Sequence, residues 1–189
     1  MRLLIYGSRD YARTVAELAQ DCGHEIAGLI DDTDPRGPGV VGRLDDAVAG
    51  HPDCAIVLGI GYSDLGLRWA AWLRTRASGR PTPTLVHPRA YVARSAVVGL
   101  GSVVMAGAIV DQRVRLGEVV VVWPGACVNH DTFVDDNCFI SPNAVLCGHV
   151  SVGAHTFVGA AAAVADHCRV PAGSKIRMLE RYVDHRARP

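Results

Sequence analysis

The sequence predicts two unlike parts: an α/β unit with a Rossmann-like parallel βαβαβ sheet, then an all-β parallel β-helix built from hexapeptide repeats. Three observations carry that prediction. Short apolar strands alternate with amphipathic helices over residues 1–83. The run Ser78-Gly79-Arg80-Pro81-Thr82-Pro83 then breaks the composition. From Val86 to Ile176 every sixth residue is Val, Leu or Ile without exception.

In the first part, Arg2–Tyr6 reads as a strand ending at Gly7. Tyr11–Cys22 reads as a helix with Val15, Leu18, Ala19 and Cys22 at helical spacing. His24–Ile30 is a second strand closed by Asp31-Asp32, residues 34–39 are a Pro/Gly loop, and Leu44–Ala49 is a short helix. Ala55–Ile60 is a third strand, and Leu65–Arg76 is a helix with Leu65, Trp69, Trp72 and Leu73 on one side. A strand, a glycine turn and a helix can present a helix N-terminus to a phosphate. The turn here, Gly7-Ser8-Arg9-Asp10-Tyr11-Ala12, holds one glycine and is no G-x-G-x-x-G fingerprint, so an ordinary turn with Ser8 or Asp10 as N-cap reads equally well. Asp31 and Asp32 stand where such folds hold ribose or base hydroxyls, or else in a solvated turn.

In the second part, spanning 84–176 with Thr84–Val86 as a candidate last strand before the coils, a period of six fits neither helix nor coiled coil. The position four after each aliphatic is small or β-branched, from Ala90 and Ala96 through Thr132 and Ala144 to Ser174. Three hexapeptides make an 18-residue triangular coil, so residues 18 apart stack at ~4.8 Å and five coils rise ~24 Å. Gly99, Gly117, Gly153 and Gly159 suit corners closed to bulkier residues. Residues 177–189 read as a C-terminal tail.

Composition excludes several function classes. The 19 basic and 19 acidic residues cancel with no basic run, which argues against nucleic acid as a partner. The opening MRLLIYG is too short for a signal-peptide core, so a cytoplasmic protein without membrane association is expected. The six cysteines form no C-x-x-C pair, and Cys138 and Cys168 fall on core positions of the repeat, so neither disulfides nor a metal site is expected.

Polar residues within the coils gather at Asn129-His130-Asp131, with His149, His155 and His167 beyond. Steps of 18 place Asp131, His149 and His167 in one column and Gln112, His130 and Gly148 in the next. A histidine beside a carboxylate has its tautomer set and suits a general base. Solvated corner residues are the alternative.

The chain resembles the bacterial left-handed β-helix sugar acyltransferases, the sialic-acid O-acetyltransferase-like group that includes N-acetyltransferases of nucleotide-linked 4-amino sugars. The resemblance rests on Leu29-Ile30-Asp31-Asp32, Gly59-Ile60-Gly61, Val86-His87-Pro88 and above all Val128-Asn129-His130-Asp131 followed by Ile140-Ser141-Pro142-Asn143-Ala144 and Cys147-Gly148. It implies a left-handed coil, a homotrimer, acetyl-CoA as acyl donor and a sugar, nucleotide-linked, as acceptor. It further implies His130 as catalytic base with Asp131 raising its basicity, and Gly148 against the cofactor. Arg9, Asp10, Tyr11, Asp31, Asp32 and Gly61 become nucleotide-sugar contacts. Three departures stand out: Arg9-Asp10-Tyr11-Ala12 replaces the family's Gly-His-Gly or Gly-His-Ala turn, Phe139 replaces a second histidine at the cofactor-binding site, and Arg177-Met178-Leu179-Glu180 replaces a last coil and cap. The expected function is acyl transfer to an amino or hydroxyl group of a sugar. The rivals are a non-catalytic trimeric scaffold and a zinc enzyme like the γ-class carbonic anhydrases.

Overall fold

A computed structural model describes residues 1–184, and the chain separates into two compact units that meet in sequence between Leu85 and Val86. Among the described residues no helix is long and apolar enough to cross a membrane.

The first unit runs β1 (Arg2–Tyr6), α1 (Asp10–Asp21), β2 (Glu25–Ile30), β3 (Val40–Gly42), α2 (Leu44–Gly50), β4 (Ala55–Leu58) and α3 (Leu65–Ala77). Its sheet is parallel in the order β3-β2-β1-β4. Leu3, Leu4 and Ile5 are buried, as is all of β4, the continuous apolar run expected of strands covered on both faces. The outer edge of β4 is closed where Ile56 N–H donates to the Pro81 carbonyl at 2.9 Å. Ala12, Val15, Leu18 and Ala19 form the buried stripe of α1, while Cys22 is its half-buried C-cap.

Four local details differ from the sequence reading. Neither Ser8 nor Asp10 caps α1: Arg9 is the N-cap with no side-chain bond, because the Ser8 hydroxyl turns instead to the Asp31 carboxylate. A short strand, β3, follows the Pro/Gly loop, where Leu29 N–H reaches the Gly39 carbonyl at 2.9 Å and draws Val40 beside Leu29. The strand expected to reach Ile60 ends at Leu58. Gly59 bends to donate to the Tyr6 carbonyl at 2.8 Å, and a Cβ on Gly7 would lie 2.4 Å from the Gly59 oxygen, so the two backbones touch there. Finally, α3 buries Arg68, Ala71, Trp72 and Thr75, while Leu73 is 52% exposed. Trp72 is buried and Leu65 and Trp69 are half-buried as that face requires. The face is turned away from Leu73 toward Arg68, whose Nε donates to the Ile60 carbonyl at 3.0 Å and so lets a charged residue take the inward position.

The second unit is the expected left-handed parallel β-helix. Two-residue strands stack into three parallel sheets of five, six and six strands, each strand pairing with the one 18 residues on; Cys127-Val128, for example, pairs with Val145-Leu146. Inside the prism Val110, Val128, Leu146 and Val164 form one fully buried column, and Ala108, Ala126, Ala144 and Ala162 form another. The repeat admits Ser and Thr at its small positions for a reason of hydrogen bonding. Ser102 Oγ donates to the Gly117 carbonyl and accepts from Val120 N–H, both at 2.9 Å, and Thr132 repeats the pattern five hexapeptides further on. All six cysteines are free. The coil extends past Ile176: Arg181–Tyr182 pairs with Ala163–Val164, with Tyr182 taking the next place in the aliphatic series and packing on the core. Residues 185–189 of the expected tail lie outside the described residues.

Candidate active site

The site begins with a backbone device. Arg113, Asp131, His149 and His167, spaced by 18, all adopt left-handed conformations with φ of 57°, 58°, 57° and 57°. Such a backbone costs about 1–2 kcal/mol for a residue with a Cβ. It persists because the corner N–H groups find acceptors on the coil before: Asp131 donates to the Gln112 carbonyl at 3.0 Å, His149 to His130 at 3.1 Å and His167 to Gly148 at 3.0 Å. The four side chains therefore leave the prism in one column.

Asp131 is the hub of that column. Its Oδ2 lies 2.9 Å from His130 Nδ1 and 3.8 Å from His149 Nε2. Arg113 grips both carboxylate oxygens, Nε to Oδ1 at 2.6 Å and Nη2 to Oδ2 at 2.8 Å. The Arg113 hydrogen bond, followed by that of His130, holds the Asp131 carboxyl well below the usual carboxylate range. An ionised carboxylate can only accept, so His130 Nδ1 donates in this contact. His149 stands edge-on to His130 with ring centroids 5.3 Å apart and stacks flat on His167 at 4.6 Å.

Gly148 sits against the imidazole. A Cβ there would lie 2.6 Å from His130 Cε1 and 2.9 Å from Nε2, so only glycine leaves the ring its place. Beside the column opens a cleft of about 460 Å³, bounded by Ser95, Val97, Arg113, Arg115, Asp131 and Phe133. Ligand atoms of His130, Asp131 and His149 fall within 4.8 Å of one another, a spacing that a metal ion could bridge. Both oxygens of Asp131 already accept from a guanidinium, however, so a fixed cation holds the carboxylate that a zinc site would need. Phe139 is not part of this corner. It lies on the face where Phe139–Ile140 pairs with Val121–Val122 and Phe157–Val158, 1% exposed, its ring stacked on Phe157 at 6.0 Å and tilted against Trp123 at 5.9 Å.

The expected acceptor residues gather at the carboxyl ends of β1, β2 and β4, where the strand order reverses about β1. Arg9 and Asp10 are exposed at the start of α1, and the Tyr11 ring lies over Gly61 with its hydroxyl beside the buried Arg68. Asp31 and Asp32 are largely committed within the unit. Burial works against ionising Asp31, but hydrogen bonds from Ser8, from the Thr33 hydroxyl and N–H, and from Asp34 N–H outweigh it and hold its carboxyl far below the usual range. Asp32 accepts from Tyr6, Arg74 and Leu44 N–H, the last at the start of α2.

Arg113 is the residue that sequence reasoning missed. Stepping back 18 from Asp131 reaches it directly, but an arginine at a corner looks like any solvated charge until its fork is seen closed on the carboxylate.

No curated protein matches this sequence. Residues 2–73 match the family model described as the PglD N-terminal domain. Among solved structures, the acetyltransferase domain of PglB from Neisseria gonorrhoeae FA1090 in complex with acetyl coenzyme A is 30% identical over 94% of this chain and 88% of its own, with a TM-score of 0.85. The chain belongs to the hexapeptide-repeat β-helix sugar acetyltransferase family. A second relative in the family is a histidine-to-asparagine mutant of perosamine N-acetyltransferase from Caulobacter crescentus, in complex with CoA and GDP-perosamine, 26% identical over 97% of this chain and 89% of its own with a TM-score of 0.87. Both likenesses span the two units, so this acetyltransferase shares the family's domain order as well as its coil.

Proposed function

We propose that this chain transfers an acetyl group from acetyl-CoA to the amino group of a nucleotide-linked sugar, with His130 as general base. The observation that carries the reading is the His130–Asp131 contact at 2.9 Å with Gly148 pressed on the imidazole face, in a chain whose relatives bind acetyl-CoA, CoA and a nucleotide-linked perosamine. In the proposed reaction the acceptor nitrogen attacks the thioester carbonyl carbon and His130 Nε2 takes the nitrogen's proton. The C–S bond then breaks and the thiolate leaves with a proton returned to it. Asp131 steadies the imidazolium through Nδ1–H. Stabilisation of the developing oxyanion is assigned to backbone N–H groups near Gly148, a contribution of about 3 kcal/mol per donor in comparable sites. No acyl-enzyme is required, because proximity and base catalysis account for the step.

Acceptor binding is assigned to the crevice of the first unit, with Arg9, Asp10 and Tyr11 at its rim, Gly61 beneath Tyr11 and Asp31 and Asp32 shaping the wall. Phe139, buried in its aromatic stack, would shape a cofactor wall from behind. We assign a homotrimeric assembly and a cytoplasmic location, where acyl-CoA and nucleotide sugars are at hand.

The test is acetyl transfer from acetyl-CoA to a panel of nucleotide-linked amino sugars, read as free thiol released, with His130→Ala alongside. Turnover by the wild-type chain and a loss of at least 10³-fold in His130→Ala, without a change in melting temperature, is the expected result. Full activity in the variant would remove His130 from the mechanism.

A further inference from the structure

We propose that Arg113 is a positioning residue of the acyl-transfer centre: it holds Asp131 against His130 and cancels the carboxylate's charge, so that the imidazole meets its substrate as a neutral base. The inference rests on the function proposed above and adds a part to it.

The argument begins with the fork. A carboxylate held by a single partner can swing about its side-chain torsions. A planar guanidinium bonded to both oxygens at 2.6 and 2.8 Å fixes the carboxylate plane and so the direction of the Oδ2 lone pair toward His130 Nδ1. Arg113 shares Oδ2 with the imidazole, and the shared oxygen is a weaker proton acceptor than a free one.

Charge gives the second step. Without Arg113 the corner would be a lone anion facing two imidazoles, His130 at 2.9 Å and His149 at 3.8 Å, and an anion at that range favours the protonated imidazolium. A protonated His130 cannot take the acceptor's proton. With Arg113 in place the fixed charge of the pair sums to zero. The other groups around the pair do not alter this account. His167 stacks on the far side of His149, Gln112 meets Arg113 Nη1 through Oε1 at 3.2 Å, Arg115 lines the cleft beyond, and Asp111 adds a weaker negative charge near the guanidinium.

A purely structural role fits Arg113 poorly. Its side chain is 57% exposed, and its backbone N–H is served separately by Ser95 Oγ at 3.1 Å. The guanidinium's hydrogen bonds go to Asp131 and Gln112, both on the surface of the column.

Two variants and two readouts test the proposal. Arg113→Gln should leave the melting temperature unchanged and lower kcat at neutral pH about 10-fold, with little change in KM for acetyl-CoA. It should also move the acidic limb of the kcat/KM profile upward by about 0.5–1 pH unit. Arg113→Lys should return the limb toward its wild-type position by restoring the charge, while kcat recovers only in part because an ammonium cannot fork. Imidazole NMR of the free protein reads the same coupling without turnover: the His130 titration midpoint should rise in Arg113→Gln by the amount the limb moves. The two ways of failing are separable. A wild-type chain inactive toward every acceptor overturns the acyl-transfer function, whereas equal His130 midpoints in wild type and Arg113→Gln overturn the role of Arg113.

Discussion

Replacing Gly148 with alanine adds one methyl group at the point where the coil touches the imidazole of His130, the proposed base. The new Cβ would lie 2.6 Å from His130 Cε1, 2.9 Å from Nε2 and 3.2 Å from Nδ1. An ordinary carbon–carbon contact is about 3.5 Å, so the ring must retreat by about 0.9 Å. His130 is about half exposed and can yield outward, so the fold should survive with its melting temperature nearly unchanged. The same retreat opens the 2.9 Å contact between Nδ1 and Asp131 toward a distance at which no hydrogen bond remains, and it carries Nε2 away from the acceptor nitrogen. A misplacement near 1 Å in an oriented site costs on the order of 10²-fold in rate, or about 2.7 kcal/mol of transition-state stabilisation. Initial-rate measurements with saturating acetyl-CoA and a nucleotide-linked amino sugar would report it in kcat. Wild-type kcat in Gly148→Ala, with the His130 ring in its original place in a crystal structure of the variant, would refute the steric account.

Other outcomes follow from the same structure. Asp31→Asn removes a carboxylate that Ser8, Thr33 and Asp34 hold ionised, and because that carboxyl's folded value is depressed, its contribution is complete above the ordinary value near ~4 and fades as pH falls. Thermal melts should therefore show the variant less stable at pH 7 and converging on wild type as the buffer is acidified below about pH 3; a constant gap across pH would contradict this. Leu146→Ala in the fully buried column should cost about 2–5 kcal/mol in denaturant unfolding. A loss well under 1 kcal/mol would mean that the prism can collapse around the void. Sedimentation analysis should give three chains per particle, and a monomer that remains fully active would contradict the assigned assembly.

The coil was almost wholly legible because its period is imposed by geometry. Any residue too large or too polar at an inward position would leave buried groups unmatched, so the sequence carries the pattern openly from Val86 to Ile176. The same ruler places His149 above Asp131 and Gly148 in the column of His130. What it could not convey was the direction of long side chains. Arg113 lies one step down the same column, and its role depends on a guanidinium swinging up rather than out to solvent. The first unit was legible in its element order and less so in detail, for a related reason. Arg68 occupies an inward position on α3, where Ile60 offers its Nε a carbonyl, and Ser8 forgoes a helix cap because Asp31 is within reach. Tyr182 continues the coil because its ring can fill an aliphatic's place, which a pattern written in Val, Leu and Ile does not anticipate.

The corner column has a consequence for how such a catalyst can change over time. Each coil bonds only to the coils before and after it, and the column of Arg113, Asp131, His149 and His167 spans four successive coils. Adding or deleting a complete 18-residue turn outside that stretch would lengthen or shorten the protein while leaving the contacts within the column intact. The same edit between Arg113 and Asp131 would part the guanidinium from its carboxylate by a further ~4.8 Å and silence it. The column is thus a cassette with sharp borders, bounded by the coils of Arg113 and His167.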